Sequence, residues 1–230
     1  MKFIGIILYL INFYYFCSGF VQKYFLFKKN EQTYKNECKM QKAEIKIIFY
    51  LLQDSVNVRQ NFRQIAAETS TSIGSVHSTF VDLSERGYII DDGMTRLLRK
   101  RQSLIDRWVM AYNENFKSKL LIGRFKFLTA KVKDQWQDIA LPDKLCWSGE
   151  PAAALQDGYI MPQRWDIYTS DTADALIATA RMIPDPKGEI YVYQKFWKKD
   201  GISPLVIYAD LLATGDDRCR EAAERLKSLI

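Results

Sequence analysis

Four side chains in the last third of the chain are of the right types for a metal-dependent nuclease centre. Glu150, Asp166 and Glu189 lie beside strands or helix starts, and Lys195 shares a strand with Glu189. Such centres hold Mg2+ between carboxylates and place a lysine near the attacking water. The spacing of acid, any residue, lysine is missing, because Ile190 and Tyr191 follow Glu189. A nuclease-related domain, active or inactive, therefore stands as the alternative reading. Other chemistries have less to work with. The chain has one histidine, His77, so a two-histidine metal site is excluded. No acid or nucleophile is placed beside His77 by the sequence, and it reads as a helix-surface residue. Cys17, Cys38, Cys146 and Cys219 are scattered with no CxxC pair, which excludes a zinc half-site and suits a reducing compartment. No P-loop, GxGxxG, GxSxG or HExxH motif occurs. The expectation is a protein that is not an enzyme and uses neither cofactor nor metal.

A second set of side chains suits a polyanion. Ser72, Ser75, His77, Ser78 and Thr79 fall on one side of a helix in which the first acidic residue is Asp82. Small hydrogen-bonding side chains at a helix N-terminus are the kind that reach base edges in the major groove. Arg96, Arg99, Lys100 and Arg101 cluster after a turn signal, where they can hold the phosphate backbone. Arg59 and Arg63 can do the same from the start of the preceding helix.

The elements that must position these residues follow from periodicity. Ile45, Ile48, Phe49 and Leu52 repeat at helical spacing over 43–53. Phe62, Ile65 and Ala66 mark a short helix over 62–69. Ser72 is placed to cap a third helix whose inward face is Ile73, Val76, Phe80 and Leu83. Gly87 stands where a positive φ ends it. Tyr88–Ile90, the turn Asp91-Asp92-Gly93 and Met94–Leu98 spell a hairpin. Helix, short helix, turn, helix and hairpin over 42–101 is the order of a winged helix-turn-helix. Such modules serve in DNA binding and in protein interaction alike.

Beyond this lie a connecting helix and strand over 102–146. Ile105, Trp108, Val109 and Tyr112 share a helix face there, and Arg124 and Lys126 alternate with Phe125 and Phe127. Residues 147–230 read as a small α/β domain. It has a helix after Gly149, a strand Trp165–Thr169, a helix over 171–183, a turn over 184–188 and a strand from Glu189 to Trp197. A helix from Pro204 to Gly215 and a final helix capped by Asp216 or Asp217 complete it. Asp210 reads as a helix-terminus charge and Arg218 as a salt-bridge partner. The fold class is thus α+β. Formal charge is +9 over residues 1–146 and −3 over 147–230, so a polyanion partner suits the first part.

The first 41 residues differ from the rest. Phe3–Gln22 carries no charge and is long enough to cross a bilayer, with Lys23, Lys28 and Lys29 behind it. A membrane anchor with the rest of the chain on the cytoplasmic side is one reading, and a secretory signal is another. Phe, Ile, Tyr, Lys and Asn supply 24 of these 41 residues, and Ala first appears at position 43. That break also suits upstream DNA translated from a wrong start.

The residues of the C-terminal part carry a family resemblance. WSGEPAA, WDIY, PDPKGEIYV and above all PLVIYADLLATGDDRCREAAERL resemble the C-terminal half of AbiEi-type antitoxins. FRQIAAETSTSIGSVHSTFVDLSERGYI is similar to that family's winged helix, and LIDRWVMAYNENFKSKLLIGRF to its connecting region. The resemblance spans residues 42–230. Relatives usually carry a further N-terminal domain, in whose place this chain has the apolar segment. The resemblance implies a cytoplasmic regulator that binds double-stranded operator DNA and opposes a nucleotidyltransferase-type toxin in a phage-defence operon.

Overall fold

The computed structural model describes residues 40–172, 176–177 and 181–230. The apolar segment 1–39, with Cys17 and Cys38, lies outside them, so the anchor, signal and start-site readings do too. Among the described residues no helix is long and apolar enough to cross a membrane.

Helix α1 (Lys42–Gln53) starts with a capping box in which the Gln41 N–H donates to Glu44. Besides the expected stripe it buries Ile47 and Leu51, because helices cover it on several sides. A 3-10 turn (Asn57–Arg59) leads to α2 (Phe62–Thr69), where Asn61 Oδ1 accepts from the Gln64 N–H at 2.9 Å. Ser70 ends α2 in the left-handed region at φ 50°. Ser72 then caps α3 (Ile73–Glu85), accepting from the Ser75 N–H at 3.0 Å.

Gly87 ends α3 as the sequence requires. Its φ is +70°, its N–H donates to Ser84 O, and the next N–H, of Tyr88, donates to Leu83 O at 2.7 Å. This pair of bonds is a Schellman motif. Strands β1 (Ile89–Asp91) and β2 (Arg96–Leu98) pair antiparallel, with Ile90 opposite Leu97. Asp92 Oδ1 accepts from the Met94 and Thr95 N–H groups and closes the turn between them.

Helix α4 (Arg101–Ala111) runs into a π-helical turn (Tyr112–Phe116) and a short α5 (Lys117–Leu120). Trp108 ties it to α1 by donating to Ile45 O at 2.8 Å, deep in the core. Strand β3 (Leu121–Phe127) follows, then α6 (Ala130–Asp134), β4 (Leu145–Ser148), α7 (Gly149–Asp157) and β5 (Trp165–Thr169). Strands β6 (Met182–Pro184) and β7 (Ile190–Gln194) and helices α8 (Pro204–Leu212) and α9 (Asp217–Leu226) end the chain.

The five strands form one sheet in the order β4-β5-β7-β3-β6, with β5 and β7 parallel and the other neighbours antiparallel. Two sequence expectations change here. Met182 and Ile183 belong to a strand paired with Phe127 and Lys126, not to the end of a helix. Strand β3, read as part of a connecting segment, is an inner strand of the sheet that β4–β7 build. Residues Gln41–Ile230 form one compact unit. It mixes helices and sheet, an α+β arrangement as expected.

Candidate nucleic-acid interface

The polar side of α3 is open. Ser72, His77 and Ser78 are exposed and Ser75 is half-buried, while Val76, Phe80 and Leu83 face the core. Two residues depart from the expected pattern. Ile73 is 48 % exposed, because it is the first helical residue and projects past the end of the core. Thr79 turns inward, and its hydroxyl donates to Ser75 O at 2.8 Å, which satisfies it there. The His77 ring meets the Phe62 ring edge-on at 6.1 Å between centroids.

The basic residues divide by environment. Arg96 on β2 lies over both Phe62 and Phe80, 5.0 Å from each ring centroid. Its Nη2 donates to Gln60 O at 2.6 Å and to Arg59 O at 3.4 Å, so the hairpin is strapped to the entrance of α2. Arg101 donates to Leu52 O at 2.7 Å and ties α4 to the end of α1. Arg59, Arg63, Arg99 and Lys100 are exposed, and their side chains make no hydrogen bond or ion pair with any described residue. Lys100 stands at φ 48° and caps α4. These four can meet phosphates with few competing partners, whereas Arg96 and Arg101 are committed to backbone carbonyls.

A second constellation lies beneath the sheet, and sequence reasoning found only part of it. Lys117 Nζ, from α5, is 2.8 Å from both Asp166 Oδ2 on β5 and Asp210 Oδ1 on α8. Arg164 Nε donates to the other oxygen of Asp166 at 2.7 Å, and its Nη2 donates to the Tyr193 hydroxyl at 2.6 Å. Ser148 Oγ donates to Asp210 Oδ2 at 2.6 Å, the Tyr168 hydroxyl to Oδ1 at 3.2 Å, and Tyr112 bonds to Tyr168. Two carboxylates thus meet two cations.

Burial alone would lower the Lys117 pKa, but Asp166 and then Asp210 outweigh it and hold the ammonium above its ordinary range. Burial pushes the Asp210 carboxyl up, against the pull of Lys117. Burial first, and Asp210 second, raise Tyr112 and Tyr168 well above the usual phenol value. The charges cancel within the cluster, which is how buried ions are tolerated.

Asp166 had been singled out as a nuclease carboxylate, but its expected companions are elsewhere. Glu189 pairs with Lys133 at 3.2 Å, and Lys195 lies over the Trp197 ring. Glu150 is buried, accepts from the Gln163 N–H at 2.9 Å and faces Arg218 at 3.8 Å. Burial raises its pKa, more than that hydrogen bond and Arg218 lower it. Arg218 is a salt-bridge partner as read, reaching Asp216 at 3.1 Å. Asp210 lies in the last turn of α8, two residues before Leu212, as read, but its side chain is buried within the cluster. The signal for it was an acid within an otherwise apolar helix, PLVIYADLL. Lys117 carries a weaker one, with the apolar Phe116 before it and Leu120 three residues on. Among the described residues no group of three or more His, Cys, Asp or Glu is arranged to hold a metal.

Neither the curated proteins nor the solved structures searched gave a match to the chain. A family model does match, described as "Transcriptional regulator, AbiEi antitoxin, Type IV TA system", over residues 96–230. The match opens at Arg96 and takes in the whole sheet with Lys117, Asp166 and Asp210, and it covers more than half of the sequence. The chain therefore belongs to the AbiEi antitoxin family, the transcriptional regulators of type IV toxin–antitoxin systems.

Proposed function

We propose that this chain binds the operator of its own toxin–antitoxin operon through a winged helix-turn-helix over residues 42–101. In that reading α3 enters the major groove, with Ser72, Ser75, His77 and Ser78 toward the bases. Arg59, Arg63, Arg99 and Lys100 hold phosphates on either side. Arg96 and Arg101 act from behind them by fixing the hairpin and α4. Residues 102–146 link this module to an antitoxin-like part at 147–230 and lend that part β3. The observation that carries the reading is the open face of α3, which is free of acidic residues as far as Asp82, in a segment that also exposes Arg59, Arg63, Arg99 and Lys100. The family supports a regulator, and regulators of this kind act on DNA in the cytoplasm. The toxin it opposes is of the nucleotidyltransferase type.

A gel shift tests the binding. Duplex from upstream of the reading frame should be held more tightly than unrelated duplex. The affinity should fall with salt at a log–log slope of about −0.9 per phosphate contact. Equal, weak affinity for every duplex at all salt concentrations would overturn it. Co-expression with the neighbouring nucleotidyltransferase-like protein tests the antitoxin role, with growth restored as the expected outcome.

A further inference from the structure

A cleft of about 340 Å3 opens between α1 and the loop that follows β7. Its volume is at the lower end of the range of about 300–1,000 Å3 that holds small ligands. One wall is aromatic. Phe49, Phe196 and Trp197 pack mutually, with Phe196 and Trp197 5.0 Å apart at an interplanar angle of 84°. The Trp197 indole N–H donates to Gly201 O at 3.1 Å, which fixes the ring while leaving it partly exposed. Lys195 lies over the same ring at 5.4 Å and Tyr168 packs against it at 5.2 Å, but neither lines the cleft, so another ring can stack only on the part of the braced indole that the cleft exposes.

The polar lining is divided in the same way. Lys46 is half-buried and makes no hydrogen bond or ion pair with any described residue. Burial, and then the charge of Lys42, hold its pKa below the ordinary lysine value. A half-desolvated ammonium with no ion-pair partner among the described residues gains from an anionic ligand. Lys198 and Lys199 stand at the same opening. Three carboxylates, Asp54, Glu68 and Asp200, also line the cleft. Acids beside a ring platform are acceptors for sugar hydroxyls. Most of the other polar groups are committed within the protein: Asn57 to Tyr50 O, Tyr50 to Gln60, and the Thr69 hydroxyl to Ile65 O.

We infer that this cleft is a binding site for a nucleoside 5′-monophosphate, its base stacked on Trp197, its phosphate on Lys46 and its ribose facing the carboxylates. The cleft joins a helix of the proposed DNA-binding part to a loop of the C-terminal part, so a bound nucleotide contacts both. This site does not depend on the DNA-binding reading, and its test uses no DNA.

The test is calorimetric titration of the full chain with adenosine and guanosine 5′-monophosphates, with adenosine and inorganic phosphate as separate arms. One nucleotide or both should give a one-site isotherm. Lys46→Gln should weaken nucleotide binding about ten-fold, the worth of a charge-assisted bond, and leave adenosine binding unchanged. Trp197→Leu should weaken nucleotide and adenosine alike, and circular dichroism should confirm that both variants are folded. Absence of heat and of chemical-shift change with either nucleotide at millimolar concentration would overturn the inference. So would binding indifferent to both substitutions, or inorganic phosphate held as tightly as the nucleotide, since the ring platform would then play no part.

Discussion

The Lys117 ammonium and the Asp210 carboxylate meet at 2.8 Å, with side chains only 8 % and 0 % exposed. The same ammonium holds Asp166, so one cation serves two buried acids. Lys117→Met leaves Asp210 without its cation and should lower the free energy of unfolding by about 3–5 kcal/mol. Urea denaturation measures this. Combining it with Asp210→Asn should cost clearly less than the two single losses added, because each removes the other's unpaired charge. A loss from Lys117→Met no larger than that of an exposed pair, about 1 kcal/mol or less, would refute the assignment.

Arg96 and Arg99 should separate stability from binding. Arg96→Ala removes a guanidinium lying over two rings and bonded to Gln60 O, and should destabilise by about 1–3 kcal/mol. Arg99→Ala should leave thermal stability unchanged. It should weaken operator binding across sequences and reduce the salt slope by about one. Equal effects of the two variants on melting temperature would contradict this division.

Gly188 has no room for a side chain. A Cβ built there would lie 2.0 Å from Phe125 O and 2.9 Å from Lys126 N, both backbone atoms of β3. The Gly188 carbonyl also accepts from Arg124 at 2.6 and 2.9 Å. Gly188→Ala must push β3 away from the start of β7, at a cost of about 1–3 kcal/mol. Faster amide exchange on β3 and β7 than in the starting protein is the expected signature.

Stability should be lost on the alkaline side. Burial, aided by Asp166, pushes the Tyr193 hydroxyl up to about 12, although Lys117 and Arg164 pull it down. Tyr112, Tyr168 and Lys117 are shifted in the same direction. Groups with folded pKa values above their unfolded values contribute fully below the unfolded value, about 10 for tyrosine and lysine. That contribution fades as pH climbs toward the folded value. Burial also pushes the Cys146 thiol up to about 11, from an ordinary value near 9, so urea midpoints should be level up to about pH 9 and then fall, and the part of the fall above pH 10 should be shallower in Tyr193→Phe. A midpoint that rises above pH 10 would contradict the shifts.

Local structure was readable in the sequence where a single residue type answers a single backbone need. Ser72 caps α3, Gly87 closes it, and Asp91-Asp92-Gly93 turns the hairpin, because caps and turns are short-range events. The stripe of α1 was readable too, though not its second buried side, since periodicity reports one face and not how many neighbours a helix has. Strand β6 was missed because Met182 and Ile183 continue an apolar helical pattern, and only pairing with β3 decides against it. The charge cluster was hardest. Lys117, Asp166 and Asp210 come from three separate segments, and no spacing rule links them. On the proposed nucleic-acid face, side-chain types point to the basic residues, but only the folded surroundings divide Arg96 and Arg101, bound to carbonyls, from Arg59, Arg63, Arg99 and Lys100.

Strand β3 is an inner strand, although it precedes β4 in the chain. It pairs with β7 on one side and β6 on the other, so β6 reaches the sheet only through it. A protease cut or engineered break between residues 128 and 147 would separate β3 from every strand it pairs with. The C-terminal part cannot be excised cleanly at β4, which carries Trp147. Any fragment meant to fold alone must begin upstream of Leu121, and to keep Lys117 beneath the sheet it must begin upstream of α5 as well.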